Sequence, residues 1–437
     1  MNEAVSMNNS GRYKKSYKLW EKANKLLLNG VLTLSKSPLG IGYGTCPVFA
    51  EKAKGAYFWD SDGNRYIDYP LALGPIILGH AYDEVDKAVK KQMSKGILYS
   101  LSNNAEVELA ELLCDIVPSA ERVRFLKSGS EAMSAAVRIA RAYTGKEIVA
   151  VCGYHGWHDW TIARTIKNAG VPKALNNLVF EFKYNDIESL IKIFDTNPGK
   201  VAAVILEPVG MYLPKENFLE EVALVAKKNN ALLIFDEIIT GFRLDLGGAQ
   251  KYFSVTPDLS AFGKAMANGY PISAVVGKRE IMNAVEEKVF ISSTYGGELL
   301  SIAAAIKTID ILKKRKVNEY ILSLGLKLKQ GLNDAAKESG IDVMCEGMVH
   351  KTFLVFKEAA GVSEELLETV FRQECLVRGV FLGYGHFISF SHTPKDIDHS
   401  IAVASEVLGI IKNALKHGNV ESLLKGKVAI DVLPKRY

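Results

Sequence analysis

The chain has 437 residues, 48% of them hydrophobic and 24% charged, with a formal net charge of +5. These values suit a soluble globular protein of about two or three domains, and the modest positive balance is spread along the chain, which gives no case for nucleic acid. Five cysteines with no CxxC spacing suit a reducing compartment. No stretch approaches about eighteen apolar residues and the polar N-terminus has no apolar core, so neither a membrane span nor a signal peptide is expected, and the cytoplasm is the expected location.

Residues 1–11 read as loosely attached. Tyr17, Trp20, Ala23 and Leu27 fit a helical stripe over 12–29, with Gly30 as its stop. A Gly-, Ser- and Pro-rich loop over 31–46 follows. Ala56–Asp60 and Arg65–Tyr69, joined by Ser61-Asp62-Gly63-Asn64, read as a hairpin after a first strand at Val48–Ala50. Gly74, Gly79 and His80 punctuate the next loop. No acid is brought to His80 by spacing, so it reads as a packing residue rather than a base. Helices are expected at 82–97 and 105–117.

Strand Val123–Leu126 runs into Lys127-Ser128-Gly129-Ser130-Glu131-Ala132, which opens a helix to about Tyr143. Free N–H groups at a helix start, the helix dipole and two hydroxyls favour an anion such as a phosphate. A plain N-cap by Ser128 or Ser130 accounts for the same residues. Strand Ile148–Val151 leads to Gly153-Tyr154-His155-Gly156-Trp157-His158-Asp159-Trp160. The imidazoles and Asp159 do not have the spacing of a recognised metal site, and no metal is expected. Aromatic faces here suit a flat ring.

Strand Val201–Leu206 ends in Glu207-Pro208, and a helix at 216–229 leads to the apolar run Ala231–Phe235, which ends in Asp236-Glu237. That run lacks polar alternation and is too short for a helix, so it reads as a strand buried on both faces. A carboxylate at its carboxyl end sits where open α/β sheets bind ligands, and a buried Asp needs a cationic partner such as a protonated pyridine nitrogen. Lys264 lies in a charge-poor segment, Leu259 to Gly269, where a lysine becomes nucleophilic toward aldehydes. Such an Asp and such a Lys together are the pyridoxal-phosphate arrangement, although an acid at a metal or helix-cap position and a surface lysine account for the same two residues, and more readily on these features alone.

Strand Ser273–Gly277 continues the sheet, and Ser292-Ser293-Thr294-Tyr295-Gly296-Gly297-Glu298 opens a helix at 299–315, a second candidate phosphate contact. Residues 318–437 change character: helices at 318–338, 363–378 and 395–416 alternate with strands Val343–Cys345, Thr352–Phe356, Val380–Leu382 and Phe387–Phe390. The last stretch reads as a tail that packs or docks. Three segments follow: 1–80, contributing to a small domain; 81–317, a large α/β domain; and 318–437, a small α+β domain.

Taken in order, Gly55-Ala56-Tyr57, Gly74-Pro75 to Gly79-His80, Ser128-Gly129-Ser130-Glu131-Ala132, Tyr154-His155-Gly156, Glu207-Pro208, Asp236-Glu237, Thr240-Gly241-Phe242-Arg243, Gly263-Lys264, Thr294 and Ser391-His392-Thr393 resemble the class III pyridoxal-phosphate aminotransferases of fold type I. The branch with glutamate-1-semialdehyde aminomutase is the most similar, over about residues 35–415. The resemblance implies an α/β fold with a mostly parallel seven-stranded sheet flanked by helices, plus a smaller α+β domain from the N- and C-terminal segments. It implies pyridoxal 5'-phosphate held by Ser128, Gly129, Ser130, Tyr154, His155, Glu207, Asp236, Ile238, Lys264 and Thr294, with Lys264 as Schiff-base lysine and proton shuttle and Asp236 on the ring nitrogen as the catalytic pair. Thr294 reaching the neighbouring subunit's phosphate implies a homodimer with shared sites.

The implied activity is transfer of an amino group from an amino acid, glutamate in the first instance, to an aldehyde or keto acceptor by a ping-pong aldimine/pyridoxamine phosphate mechanism. Sugar, polysaccharide or secondary-metabolite synthesis is the implied setting, and an intramolecular aminomutase is the alternative. Leu39-Gly40 stands after Ser37-Pro38 where the aminomutase pattern has an Arg for the substrate carboxylate, and Leu73 stands for its Trp. Arg243 reads equally as a carboxylate clamp or a structural ion pair.

Overall fold

The computed structural model describes residues 11–432; residues 1–10, for which loose attachment is the expectation, and positions 433–437 of the expected tail lie outside them. Two compact units result. Residues up to Leu73, Gly79–Ala81 and those from Ile321 form one, and Gly74–Leu78 with Tyr82–Tyr320 form the other.

In the first unit, β1 (Ala50–Lys54), β2 (Tyr57–Asp60) and β3 (Arg65–Asp68) make an antiparallel meander. Asp60 Oδ1 accepts the N–H groups of Asp62 at 3.0 Å and Asn64 at 2.8 Å, which closes the expected hairpin turn through a side chain. Asp68 ends β3. Its carboxylate accepts the Leu71 N–H at 3.0 Å and pairs with Nε2 of His80 at 2.7 Å. His80 therefore has an acid partner that chain spacing did not bring to it.

The second unit carries β4 (Arg122–Leu126), β5 (Ile148–Cys152), β6 (Val179–Glu181), β7 (Val201–Leu206), β8 (Leu232–Asp236), β9 (Leu259–Phe262) and β10 (Ser273–Gly277). They form one seven-stranded sheet in the order β4-β10-β9-β8-β7-β5-β6. All pairs from β9 through β6 are parallel, and β10 runs antiparallel to both β4 and β9. The connection from β9 to β10 is too short for the crossover that a parallel pair needs.

Alternate residues of each central strand feed opposite faces. Val149, Val151, Ala203, Ile205, Leu232 and Ile234 pack with helix Gly129–Thr144, whereas Ala150, Val204, Leu206, Leu233 and Phe235 pack with helices Ile187–Thr196 and Phe218–Lys228. Burial on both faces explains why these strands read as unbroken apolar runs. The first turns and carboxyl strand ends that carry polar residues therefore gather at one edge of the sheet. Among the described residues, no helix is long and apolar enough to cross a membrane.

The C-terminal part of the first unit adds the hairpin of β11 (Val343–Met348) and β12 (Lys351–Phe356), and β13 (Val380–Phe381), which pairs in parallel with β3. The run Phe387–Phe390, expected as a strand, is irregular. The Phe387 N–H goes to the Tyr69 carbonyl at 2.8 Å and the Ser389 N–H to Nδ1 of His392 at 3.1 Å, so loop and side-chain acceptors take the place of a ladder.

His386, 2% exposed, bonds through Nδ1 to Thr352 Oγ1 at 3.2 Å. Burial, with the Arg372 charge nearby, pushes its pKa down to about 3, against about 6.5 in an unfolded chain. Across that window the native state binds fewer protons than the unfolded one. The neutral imidazole's contribution is complete above about pH 6.5 and is lost as pH falls toward 3. Urea unfolding from pH 7 to 5 should show this loss, and His386→Asn should flatten the slope by up to about 1.4 kcal/mol per pH unit. Equal slopes in the two proteins would refute the assignment.

Candidate active site

The end of β8 is the centre of the candidate site in the second unit. Asp236 is 5% exposed, its Oδ1 accepts the Ile238 N–H at 3.1 Å, and its Oδ2 lies 2.8 Å from Nδ1 of His155. The other imidazole nitrogen, Nε2, faces the Cys152 carbonyl at 3.0 Å. A carbonyl only accepts, so Nε2 carries a hydrogen. Two acceptors cannot face each other at bonding distance, so a proton also lies between Nδ1 and Oδ2. An acid at the end of β8 is thus held by a base from the loop after β5, two strands across the sheet.

Glu237 is fully buried and serves a different purpose. It accepts from the Thr240 hydroxyl, the Ala249 N–H at 2.8 Å and the Gln250 N–H at 2.9 Å. Burial pushes its carboxyl up from the ordinary carboxylate range, while these donors pull it back. It shapes the loop beyond Asp236. Arg243, in the same loop, is 1% exposed and donates from Nη2 to the Gly74 carbonyl at 2.6 Å. The two roles expected for it involve an acid; the structure shows a backbone carbonyl among its partners.

Lys264 opens the 3-10 turn Lys264–Ala267 just after β9, the neighbour of β8. It holds a left-handed backbone, φ 43°, a conformation that non-glycine residues adopt mainly where the surroundings dictate it. Ile238 lies against the turns on either side. A side chain placed on Gly129 or on Gly263 would come within 3.2 Å of it, so both glycines allow Ile238 to pack closely between the two turns.

The helix beginning at Gly129 is capped by Ser128, whose hydroxyl accepts the Glu131 N–H at 3.3 Å while Glu131 Oε2 accepts the Ser128 N–H at 2.7 Å. The cap reading thus accounts for the Ser128 side chain. The N–H groups of the first turn still point out of the helix, having no acceptor within it. Ser130 Oγ accepts the Trp157 N–H at 3.3 Å, and a side chain on Gly156, φ 107°, would meet that hydroxyl at 2.3 Å. The loop carrying Tyr154 and His155 is therefore packed directly onto the Ser130 turn.

Tyr154 is 53% exposed. Glu207 follows β7 near Gly153, where an added Cβ would stand 3.6 Å from its Oε1. His158 turns away to Ser134 Oγ at 2.7 Å. Thr294 is not grouped with these residues. It lines a cavity of about 240 Å³ with residues 98–103 and Glu106. The turn that holds Thr294 is tethered to the Ser128 turn by Lys127 and Glu298, 2.9 Å apart.

The donor set suits a planar ring bearing an acidic N–H, an aldehyde and a phosphate. There is one carboxylate at a buried strand end, an amine on the adjacent strand end, and a helix N-terminus with small residues beside them. Residues 40–360, more than half of the chain, match the family model described as Aminotransferase class-III. The chain is 39% identical over 410 residues to a 3-aminobutyryl-CoA aminotransferase of Cloacimonas acidaminovorans, covering 92% of this chain and 98% of that protein. It is 36% identical over 423 residues to a glutamate-1-semialdehyde 2,1-aminomutase of Syntrophobacter fumaroxidans, covering 90% and 97%.

The solved structure of the PLP internal aldimine form of the Sphingopyxis sp. MTA144 FumI protein superposes with a TM-score of 0.87 at 27% identity, over 92% of this chain and 98% of that one. Sequence, fold and site agree: the cofactor is pyridoxal phosphate, and the chain belongs to the class-III aminotransferases.

Proposed function

We propose that the chain is a ping-pong transaminase that exchanges an amine for a carbonyl oxygen between an amino acid, glutamate in the first instance, and an aldehyde or ketone. The observation that carries this reading is the His155–Asp236 pair at the end of β8, with Lys264 at the end of β9. The 3-aminobutyryl-CoA aminotransferase relative supports a carbonyl carbon two bonds from an acyl carbonyl as the acceptor. Leu39-Gly40 after Ser37-Pro38, where the aminomutase pattern has a carboxylate-binding Arg, supports a second substrate without a free carboxylate at that point.

Pyridoxal phosphate supplies, when bound, an aldehyde that condenses with amines and a protonated ring that takes up the electron pair released at the substrate carbon. Asp236 would keep the proton on the ring nitrogen, with His155 holding that carboxylate. Lys264 would supply the amine nucleophile and then carry a proton to and from the substrate. Ser130, Gly129 and the first-turn N–H groups behind the Ser128 cap would hold the phosphate. Tyr154 and Ile238 would hold the ring, and Glu207 would support its hydroxyl. Thr294 would serve the phosphate of a second copy, which would make the working unit a homodimer. Free cysteines support the cytoplasm as its location.

Single-turnover spectroscopy against amino donors, without acceptor, tests the reading. Glutamate, or a 3-aminoacyl thioester, should bleach the visible absorption and release one equivalent of the matching oxo compound. The relative from Syntrophobacter fumaroxidans favours the second reading, an intramolecular aminomutase. It prevails if only a molecule carrying both amine and carbonyl reacts and no free oxo acid appears.

A further inference from the structure

Asp236 and Lys264 sit at the ends of neighbouring strands, with Asp236 opposite Ala261 in the β8–β9 register. The ladder therefore fixes their backbones only up to the strand ends. Beyond it both chains are irregular, and Lys264 and Asn268, which bracket its turn, have left-handed φ of 43° and 47°. Something outside the sheet must set where these two turns stand relative to each other.

The segment Gly74–Leu78 touches both. Its first carbonyl, that of Gly74, accepts from Nη2 of Arg243 at 2.6 Å, and Arg243 belongs to the loop that starts at Asp236. Its last N–H, that of Leu78, donates to Oδ1 of Asn268 at 2.8 Å, and Asn268 closes the turn that starts at Lys264. Between these ends Ile76 packs so closely on Gly269 that an added Cβ there would stand 2.6 Å from its Cδ1. Ile77, Leu78 and Arg243 are at most 1% exposed and Asn268 is 7% exposed.

The far side of each turn is braced too. Asn318 Nδ2 donates to the carbonyls of Phe242 at 2.7 Å and Arg243 at 3.0 Å, and the Phe242 ring packs edge-on against Phe262, centroids 5.6 Å apart. Hydrogen bonds thus run in a closed ring: β8, the Asp236 loop, Arg243, Gly74 to Leu78, Asn268, the Lys264 turn and β9.

The segment is itself held in an unfavourable approach. Leu71, Ala72, Leu73 and Gly74 have φ of 44°, 56°, 74° and 99°, a left-handed run that three non-glycine residues sustain only when their surroundings over-determine it. Such a cost is retained where a geometry must be kept.

We propose that Gly74–Leu78 is a strut that sets the position of Lys264 relative to Asp236, and that Arg243 and Asn268 are the positioning residues through which it acts. The proposal rests on the assignment of Lys264 and Asp236 to pyridoxal phosphate. It gives the buried Arg243 a function other than substrate binding, and it makes Asn268, at the far end of the Lys264 turn, a determinant of the site.

The test uses Asn268→Gly, because glycine accepts the left-handed backbone at 268 and removes the side-chain acceptor together with the rest of the amide, and Asn268→Asp, which keeps an acceptor oxygen. In full-length protein stripped of cofactor, amide exchange at Ile77 and Leu78 should quicken at least about 10-fold in Asn268→Gly and stay near wild type in Asn268→Asp. After reloading with pyridoxal phosphate, the pH midpoint of the visible absorption should move by about one unit in Asn268→Gly alone, since the lysine nitrogen then stands differently toward the ring and Asp236.

Unchanged exchange would show that Asn268 does not hold the strut and would overturn the proposal. Quickened exchange with an unmoved midpoint would reduce Asn268 to a structural residue and would overturn it as well. Borohydride trapping of wild type, read by peptide mass, separates this from the underlying assignment: a label at Lys264 leaves that assignment standing, and a label elsewhere removes both.

Discussion

Lys264→Ala is expected to lower turnover by at least about 10⁴-fold, because in the proposed reaction one amine would both condense with the cofactor aldehyde and carry the proton to and from the substrate. Loss of the visible absorption of lysine-bound pyridoxal phosphate should accompany it. The fold should survive. The native residue already holds φ 43°, so alanine adds little backbone strain of its own, and the side chain is only partly buried. The neighbouring residues Ala265, Met266 and Ala267, all 0% exposed, anchor the turn. Urea unfolding midpoints of wild type and variant, both without cofactor, should agree closely. A yellow, active Lys264→Ala protein would end the assignment. A colourless variant that is also unfolded would be resolved by Lys264→Arg, which keeps length and charge but cannot condense with an aldehyde.

The parts of this site that were legible in the sequence are those whose chemistry is local. The Ser128 turn is a strand followed at once by a capping box, and Asp236 ends an apolar run whose burial on both faces is visible as missing alternation. Lys264 stands out because its neighbours carry no charge. What could not be read depends on sequence-distant pairs. His155 lies 81 positions from Asp236, and nothing in a list of residues brings them together. The Asp68–His80 pair is missed because spacing brings no acid to His80, although the turn after β3 folds the chain back over the twelve positions that separate them.

Arg243 is the sharper example. A guanidinium seven positions after Asp236 reads equally as a carboxylate clamp or a structural ion pair from sequence, and its burial and its bond to the Gly74 carbonyl become visible only in the fold. In the fold, the helices expected from sequence lie within a few residues of their places because their stripes repeat several times, whereas the shorter helices Ile187–Thr196 and Arg279–Val285 carry too few repeats to stand out. β6 and β9 were not singled out, since a strand of three or four buried residues carries almost no periodic signal. The irregular 387–390 run was misread for the same reason.

Asp236→Asn is expected to lower kcat by about 10²–10³-fold, the usual cost of removing one preorganised charge from a site where charge develops. Asparagine has the shape of aspartate and can keep both geometric neighbours: its amide oxygen can accept the Ile238 N–H, and its other atom still faces Nδ1 of His155. What it lacks is the negative charge that holds a proton on the ring nitrogen. The loss should therefore be electrostatic and should spare cofactor binding at the phosphate, where the first turn of the Gly129 helix is untouched.

An analogue of pyridoxal phosphate with carbon in place of the ring nitrogen isolates this contribution. With that analogue the ring has no proton for Asp236 to hold, so wild type and Asp236→Asn should turn over at nearly equal, low rates, and the double change should cost little more than either alone. If the variant instead loses a further 10²-fold or so on the analogue, Asp236 acts on something other than the ring nitrogen, and its bond to His155 would then have to be explained as scaffolding.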